Sequence, residues 1–274
     1  MRKMFVLLIG LSISMQYSSA ILNDSTVSII PKWKTGESKN FIVTQTMKLS
    51  KQLNTTQTSD ISVVVTDVLD STIKMKWHIK KIVYLDSTDS SVVKMPLRAD
   101  LFRIPENVSI EFTLNLKGQI QSIDNFPILK KIYRQRLDSL FDNLDSKYGC
   151  ESRKSEGAGI FYELFNTEPK HNIFFSELYA FFKLYGIKLS LNSSAYDNEP
   201  WVGIKKDEYK INVDKLDTKF LTIKSELMDG GTAVKNGRTT DRVYIFDVSS
   251  CWLTYLSSEI KNKGGGGSLI IRAY

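Results

Sequence analysis

Alternation of apolar and polar residues recurs through much of the chain, and this period of two constrains the fold more than any other feature. In residues 41–49 the odd positions are mostly apolar and the even positions mostly polar, which is typical of a strand with one buried face. Residues 61–66 form a β-branched run, and the polar residues 54–56 before it predict a turn. The N-terminal third therefore predicts a set of strands.

A change of phase within residues 72–85 predicts that the sheet is bent. Met75, Trp77 and Ile79 lie on one side of the predicted strand, whereas the apolar row continues on even numbers from Ile82. One inserted residue of this kind is what a β-bulge produces, and a bulge bends the strand that carries it. A long, bent strand belongs to a strongly curved sheet.

Strand patterns resume near the C-terminus, where turn residues separate them. The predicted strands cover residues 209–213, 220–228, 242–248, 252–260 and 268–273. Gly230 and the four glycines at 264–267 supply the positive-φ residues that tight connections need. A further hairpin is predicted at residues 110–123, where the alternation is interrupted by a turn at Gly118.

Two segments between these strand regions have helical spacing. Apolar residues recur at steps of three and four from residue 126, which predicts an amphipathic helix near 126–148 that ends at Gly149. A second helix is predicted near 169–185, with Pro169 at its start and Gly186 after its end. Apolar and aromatic residues take up most of the circumference of this second helix. It must therefore be covered on more than one side.

The order of strands, two helices and strands predicts an α+β fold. The expected architecture is a large curved antiparallel sheet, in the form of a half-open barrel, with the two amphipathic helices inserted between the N- and C-terminal strands. The sequence has no fixed-period repeat and no interdomain linker. Residues 21–274 are therefore predicted to form a single β-rich domain, in which the C-terminal strands rejoin the first sheet.

The first 20 residues have the features of a cleavable signal peptide. Arg2 and Lys3 provide a short positive region, an uncharged apolar stretch follows, and Ser18 and Ala20 are small residues at the −3 and −1 positions. The apolar stretch has about 12 residues, whereas a membrane-spanning helix needs roughly 20. We therefore predict cleavage after Ala20 and a periplasmic or extracellular product that is not an integral membrane protein. The first cysteine is Cys150, which excludes a bacterial lipoprotein signal.

The chain has two cysteines, Cys150 and Cys251. An even number in an oxidising compartment favours a disulfide between them. Such a bridge would close a long loop and restrict the unfolded chain by about 4 to 5 kcal/mol in the loop-entropy model. Two separate buried thiols are the alternative that the sequence leaves open.

Composition and motifs argue against several classes of function. The net charge of +7 falls to +5 without the signal peptide, and the basic residues are dispersed among acidic ones, unlike the dense basic stripe of a nucleic-acid-binding protein. The sequence lacks the Gly-x-Ser-x-Gly, His-Glu-x-x-His, P-loop and paired Cys-x-x-Cys motifs. The two histidines, His78 and His171, are far apart in the sequence. We therefore predict neither enzymatic activity nor a metal or cofactor.

The aromatic second helix is the feature that most invites a functional interpretation. In one interpretation it is core packing against the sheet. In the other, the curved sheet and the helix enclose an apolar cavity, because small-molecule sites are mostly apolar with few polar groups. The residues predicted to line that cavity are Met75, Trp77, Phe112, Phe174, Phe181 and Phe182.

The order of these segments resembles exported bacterial envelope proteins with a LolA-like or LppX-like half-open barrel. Residues 110–123 carry the resemblance, with a strand, a turn and a short return strand before a helix, together with residues 242–260. In the latter, a Tyr-x-Phe-Asp strand turns into Trp-Leu-Thr, like the repeated Asp-turn-Gly-x-Leu hairpins of that group. Cys251 stands where glycine is usual. The resemblance implies non-enzymatic handling of a lipid or lipid-like group.

Two functions follow as expectations. In the first, the protein binds a lipid or another apolar ligand between the sheet and the helices. In the second, it is a structural or protein-interaction module of the cell envelope with a solid core and an envelope protein as its partner. Residues 264–268 also match an engineered linker, although the strand pattern after them favours a native segment.

Overall fold

The computed structural model describes ten ranges of the chain, within which strands predominate. The described ranges are residues 20–23, 25–48, 54–86, 96–149, 159, 162–163, 166–199, 207–228, 239–262 and 265–274. The strands are β1 (Ala20–Asn23), β2 (Thr26–Ile29), β3 (Ser38–Lys48), β4 (Asn54–Val68), β5 (Thr72–Asp86), β6 (Val108–Asn115), β7 (Ile120–Ile123), β8 (Lys188–Ser190), β9 (Ala195–Glu199), β10 (Asp207–Leu216), β11 (Phe220–Leu227), β12 (Thr239–Asp247), β13 (Leu253–Asn262) and β14 (Gly265–Ala273). The α-helices are α1 (Pro96–Phe102), α2 (Phe126–Tyr148) and α3 (Ser176–Phe182).

Eleven of these strands form one antiparallel sheet, in the order β7-β6-β5-β4-β3-β14-β13-β12-β11-β10-β9. The last strand, β14, pairs with β13 on one side and with β3 on the other. The C-terminal strands therefore rejoin the first sheet, as predicted. The sheet is curved and half-open, with β7 and β9 at its two edges, which confirms the predicted fold class.

A second, three-stranded sheet in the order β1-β2-β8 was not predicted. Val27 and Ile29 of β2 are fully buried. The Gly186 N–H donates to the Ile29 carbonyl oxygen at 2.9 Å, so this small sheet is attached where the chain leaves α3. Strands of three or four residues give too short an alternation to be recognised in a sequence.

The predicted bulge in β5 is confirmed by the register with β4. Asp60 lies opposite Lys81 and Ile61 lies opposite Ile79, so one residue of β5 has no partner. Before the bulge, Ile73, Met75, Trp77 and Ile79 are buried. After it, Ile82 is buried on the same face.

Helix α2 has the predicted bounds and ends at Gly149, which has the left-handed φ of 62°. Its buried stripe consists of Leu129, Tyr133, Leu137 and Phe141. Tyr148, at the end of the helix, is 56 % exposed. Along a straight helix, residues with a seven-residue repeat rotate gradually around the helix axis. The apolar residues at one end of the helix therefore turn away from the surface against which the others pack.

The second predicted helix is interrupted. Two short 3-10 turns, Pro169–His171 and Ile173–Phe175, precede α3. Asn172 between them has extended backbone angles, and its side-chain oxygen accepts the Phe174 N–H at 3.0 Å. Asparagine competes with helical hydrogen bonding in this way, which explains the break.

Two turn predictions were wrong, because Asn54 begins β4 and residues 265–267 lie inside β14. Strand β9 was not predicted. Helix α1 was not predicted either. Polar and glycine residues are tolerated in these strands because neighbouring strands fix the backbone.

Candidate functional site

The sheet has one face that packs against α3, called here the inner face. Phe41 of β3 lies on it, and its ring is 5.0 Å from that of Phe181 of α3. Successive odd residues of β3 point to the same side because side chains alternate along a strand. Gln45 and Met47 therefore share the inner face with Phe41.

An aromatic cluster fills the space between α3 and the inner face. Phe181 contacts Trp77 at 5.5 Å and Phe182 contacts Phe112 at 5.3 Å, both edge to face. Trp33 stacks on Trp252 at 4.4 Å. Edge-to-face and offset aromatic pairs add roughly 0.5 to 1.5 kcal/mol each beyond the burial of their area. The cluster consists of Trp33, Phe41, Trp77, Phe112, Phe181, Phe182, Tyr185 and Trp252.

Five of the six residues predicted to line an apolar cavity lie in this core. Met75, Trp77, Phe112, Phe181 and Phe182 are all buried, and the four aromatic rings contact one another directly.

The sixth residue, Phe174, is only partly buried and packs against Tyr133 of α2 at 5.5 Å. The lining residues of the two described cavities, which both lie along α2, include none of the six. The sequence thus identified residues of the packed core.

Beyond the aromatic cluster, the inner face carries a row of polar residues across adjacent strands. In register order, this polar row consists of Tyr84, Gln57, Gln45, Leu269, Ser258, Arg242 and Ser225, in which Leu269 is the apolar exception. The Gln57 amide donates to Ser59 on the same strand at 3.3 Å. Ser59 and Ser225 are each only 2 % exposed. Burying polar groups costs free energy unless they find partners, so this row is a candidate for polar recognition.

Glu177 in the first turn of α3 faces the polar row. The Gln45 side-chain amide donates to Glu177 Oε1 at 2.7 Å. Burial raises the pKa of Glu177 to about 7, because a low-dielectric environment disfavours the charged carboxylate. Glu177 is partly buried rather than sealed from solvent, so part of its side chain remains accessible.

Tyr209 of β10 lies near the other end of the polar row and is fully buried. The guanidinium of Arg242 lies 4.5 Å from the centre of its ring, and the Lys183 ammonium lies 5.3 Å from it. Arg242 Nε also donates to Ser258 Oγ at 3.4 Å. Arginine over an aromatic face gains cation–π attraction while keeping its N–H groups directed outward.

The next row of the inner face contains a depression without side chains, called here the glycine trough. Gly267 of β14 forms its floor, between Met47 of β3 and Ile260 of β13. The one described atom within 4 Å of a Cβ built on Gly267 is the Thr46 carbonyl oxygen, at 3.0 Å. Met47 is 40 % exposed. The floor of the trough is therefore bare backbone, bordered by two apolar side chains and by the polar row.

Thr240 of β12 lies opposite Ile260 and belongs to the same row as the trough. Its side chain is 1 % exposed, and its hydroxyl has no hydrogen-bond partner among the described residues. An unsatisfied buried hydroxyl costs roughly 1 to 3 kcal/mol.

A separate cleft of about 570 Å³ lies along α2. It is lined by Asp100 of α1 and by one face of α2, including Ile132, Arg136 and Leu144. Arg136 donates to the carbonyl oxygens of Ile104 and Glu106, both at 2.6 Å, so its charge serves to attach α2. A smaller cavity of about 220 Å³ is lined by Lys130, Lys131, Arg134, Tyr162 and Asn166.

The predicted disulfide stays a prediction, because Cys150 lies outside the described residues. Cys251 is buried and has a φ of 56°. This left-handed conformation favours glycine.

Within the described ranges, no group of three or more metal-ligating side chains comes together. No helix in that part of the chain combines the length and apolarity needed to cross a membrane. His78 lies opposite Ser62, on the face away from α3, and its Nδ1 is 3.0 Å from Ser109 Oγ.

No family model and no curated protein matches the chain. One solved structure, reported for lipid–protein interactions in lipovitellin, has a TM-score of 0.47 and 9 % identity over 89 % of this chain and 25 % of that chain. The chain thus spans about a quarter of the length of that structure.

Sequence reasoning missed the polar row and the trough, although both left signals. Gln45 is the polar exception among the apolar odd positions of residues 41–49. Glu177 is the one acidic residue within 169–185. The glycines of β14 were interpreted as a turn, but an interior strand glycine also marks a close approach of a ligand or another backbone.

Proposed function

We propose that this is an exported, non-enzymatic protein that binds a lipid-like molecule on the inner face of its open sheet. The glycine trough is the observation that carries the proposal. Gly267 leaves bare backbone between two apolar side chains, Met47 and Ile260. A hydrocarbon chain lying there would bury apolar surface, worth about 25 cal/mol per Å².

The polar row makes the site amphiphilic. Gln45 lies two residues before Met47 on the same face of β3 and contacts Glu177. A ligand with its chain in the trough would place its polar end at this pair. The curved half-open sheet is also the architecture that the resemblance to LolA-like and LppX-like proteins implies.

The test compares Met47→Asp with Val83→Asp. Both side chains are 40 % exposed in the folded protein, but Met47 is on the inner face and Val83 is on the opposite one. We expect Met47→Asp to weaken binding of a fluorescent long-chain probe at least tenfold, about 1.4 kcal/mol. Val83→Asp should bind like the wild type.

Equal binding by both variants would contradict a site at the trough. No binding of the probe by the wild-type protein, together with no lipid in native mass spectra of gently purified material, would reject lipid binding altogether.

Export is part of the proposal and has its own test. The signal-like segment ending at Ala20 predicts that the secreted chain begins at Ile21. Expression with and without residues 1–20, followed by mass spectrometry of the exported chain, measures this directly. An uncleaved chain, or equal export without the segment, would contradict it.

An oxidising destination also favours the bridge between Cys150 and Cys251. Intact-mass measurement before and after reduction and alkylation distinguishes a disulfide from two thiols.

The second candidate function is an interaction module of the cell envelope with a solid core. The direct ring contacts of Phe181 with Trp77 and of Phe182 with Phe112 favour it, because they fill the space where a cavity was predicted. Crosslinking in the native envelope should then recover one partner protein, and the apolar probe should not bind.

A further inference from the structure

Glu177 is a carboxylate held between helix and sheet without a cation. Its described hydrogen bond comes from the neutral Gln45 amide, and no basic side chain of the described residues forms a salt bridge with it. Burial is the cause of its raised pKa, with no contribution from a neighbouring charge. Placing a carboxylate in such a position is costly unless a partner supplies positive charge or hydrogen-bond donors.

The side chains around Glu177 present mainly acceptor oxygens. The amide nitrogen of Gln45 is used by Glu177, and that of Gln57 is used by Ser59. Both amide oxygens therefore remain as acceptors, beside the second carboxylate oxygen. These groups lie on neighbouring strands, with Gln45 directly opposite Gln57.

Few titratable groups of the described residues share this surface. β5 contributes Tyr84, whose buried hydroxyl has no hydrogen-bond partner in the described ranges. β3, β4 and β14 present the uncharged residues Gln45, Gln57 and Leu269. Further away, Arg242 lies three strands from Gln45 along the polar row, and Lys183 lies beyond the last turn of α3.

We infer that Glu177, Gln45 and Gln57 form the head-group site for the ligand of the proposed function, and that this ligand carries an ammonium group. An ammonium offers three N–H donors and no acceptor, which complements the three acceptor oxygens. Its positive charge neutralises the Glu177 carboxylate. A hydrocarbon chain attached to it extends along β3 from Gln45 to Met47 and the glycine trough. The inference rests on the proposed function.

The experiment compares an unbranched long-chain amine, alcohol and fatty acid of equal length, each competing with a fluorescent probe at pH 8. The amine is protonated at this pH, with a pKa near that of lysine, about 10.4. We expect the wild type to bind the amine about tenfold more tightly than the alcohol, since a charge-assisted hydrogen bond is stronger than a neutral one. Glu177→Gln should bind the amine and the alcohol equally.

Two controls separate recognition from folding. Glu226→Gln changes an exposed glutamate of β11 on the opposite face and should keep the preference for the amine. Alcohol binding by Glu177→Gln should equal that of the wild type, which shows that the trough is intact.

The pH dependence gives a second measurement. As the pH falls from 8 to 6, Glu177 becomes protonated and wild-type affinity for the amine should fall toward that for the alcohol. Glu177→Gln should show no such change.

Each alternative result has a distinct meaning. Equal wild-type affinity for amine and alcohol would overturn the ammonium inference and leave lipid binding intact. Tighter binding of the fatty acid would overturn it in favour of an anionic head group. Failure of all three to bind would reject the proposed function itself.

Discussion

Tyr185 is the residue that most directly connects the helical segment to the sheet. Its buried hydroxyl donates to the Cys251 carbonyl oxygen at 2.8 Å and accepts the Leu253 N–H at 3.2 Å. Cys251 lies in the connection between β12 and β13 and has the left-handed conformation there, and Leu253 begins β13. One phenol thus satisfies two backbone groups that water does not reach.

Replacing Tyr185 with Phe should destabilise the protein by about 1 to 3 kcal/mol, because a buried carbonyl and a buried N–H lose their partner. The free energy of unfolding in urea measures the effect. Tyr255→Phe, on the face away from α3, is the matched control and should change it by less than about 0.5 kcal/mol. Equal losses in the two variants would show that the buried hydroxyl has no special role.

Glu177 should make the stability of the unliganded protein depend on pH. Its pKa in the folded state, about 7, lies above the ordinary value of 4.5, so its stabilising contribution is complete below the ordinary value and is lost as the pH rises through 7. Glu177→Gln should therefore be more stable than the wild type at pH 8, by about 1 to 3 kcal/mol. At pH 4 the two should be similar.

Urea unfolding across this pH range tests the sign. Glu226→Gln should follow the wild-type curve. A stability difference between Glu177→Gln and the wild type that stays constant from pH 4 to 8 would contradict a buried titrating carboxyl.

At this scale, the sequence predicted which residues of β5 are buried but missed the role of Glu177. Alternation alone places Met75 and Trp77 on the core side. The side of the helix on which Glu177 lies depends on where α3 begins. The extended backbone at Asn172 interrupts the helical repeat, so positions before it do not predict the side taken by positions after it. A pattern that assumes one continuous helix from 169 to 185 therefore cannot predict the direction of the Glu177 side chain.

Among the elements, β14 shows most clearly how glycine permits close packing within a sheet. A Cβ on Gly266 would lie 2.5 Å from the Ile260 carbonyl oxygen of β13. The obstacle is backbone rather than a flexible side chain, so the strand itself would have to move. The glycines were predicted to form a turn because nothing local distinguishes a strand glycine from a turn glycine.

Gly266→Ala should therefore destabilise the protein by about 1 to 3 kcal/mol. Without this contact, replacing glycine with alanine would stabilise the folded protein by about 0.4 to 1 kcal/mol, because alanine restricts the unfolded chain. The strand displacement should outweigh that gain. Thermal and urea unfolding measure the net sign, and Ser268→Ala in the same strand is the control. A stabilised Gly266→Ala protein would show that β14 adjusts freely.

On the scale of the whole molecule, the position of β14 makes the two halves of the large sheet continuous. Ala273 lies opposite Phe41, and Arg272 lies opposite both Ile42 and Tyr255. The alternation at both ends of the chain predicted this sheet and its curvature. That the C-terminal strands rejoin the first sheet was predicted only from the absence of a linker, because pairing over such a sequence distance leaves no local signal.

A chain that ends at Asn262 should lose cooperative folding, because β3 and β13 would each lose a paired neighbour and expose a row of unpaired backbone N–H and C=O groups. Far-UV circular dichroism and urea unfolding test this. Removal of Tyr274 alone is the control. Its exposed ring contributes a hydrogen bond from its hydroxyl to Asp60 at 2.8 Å, and its loss should leave the transition cooperative. A sharp transition in the shorter chain would show that the halves are independent.

The place of β14 also sets the order of events during biosynthesis. Of the described strands, β14 is synthesised last, and it occupies an interior position of the sheet, between β3 and β13, so the two halves of the sheet cannot be joined before it has been made. Contacts between distant parts of a chain form slowly. Under the proposed export, this delay would be an advantage, because the sheet would stay incomplete and the chain extended until β14 has been synthesised.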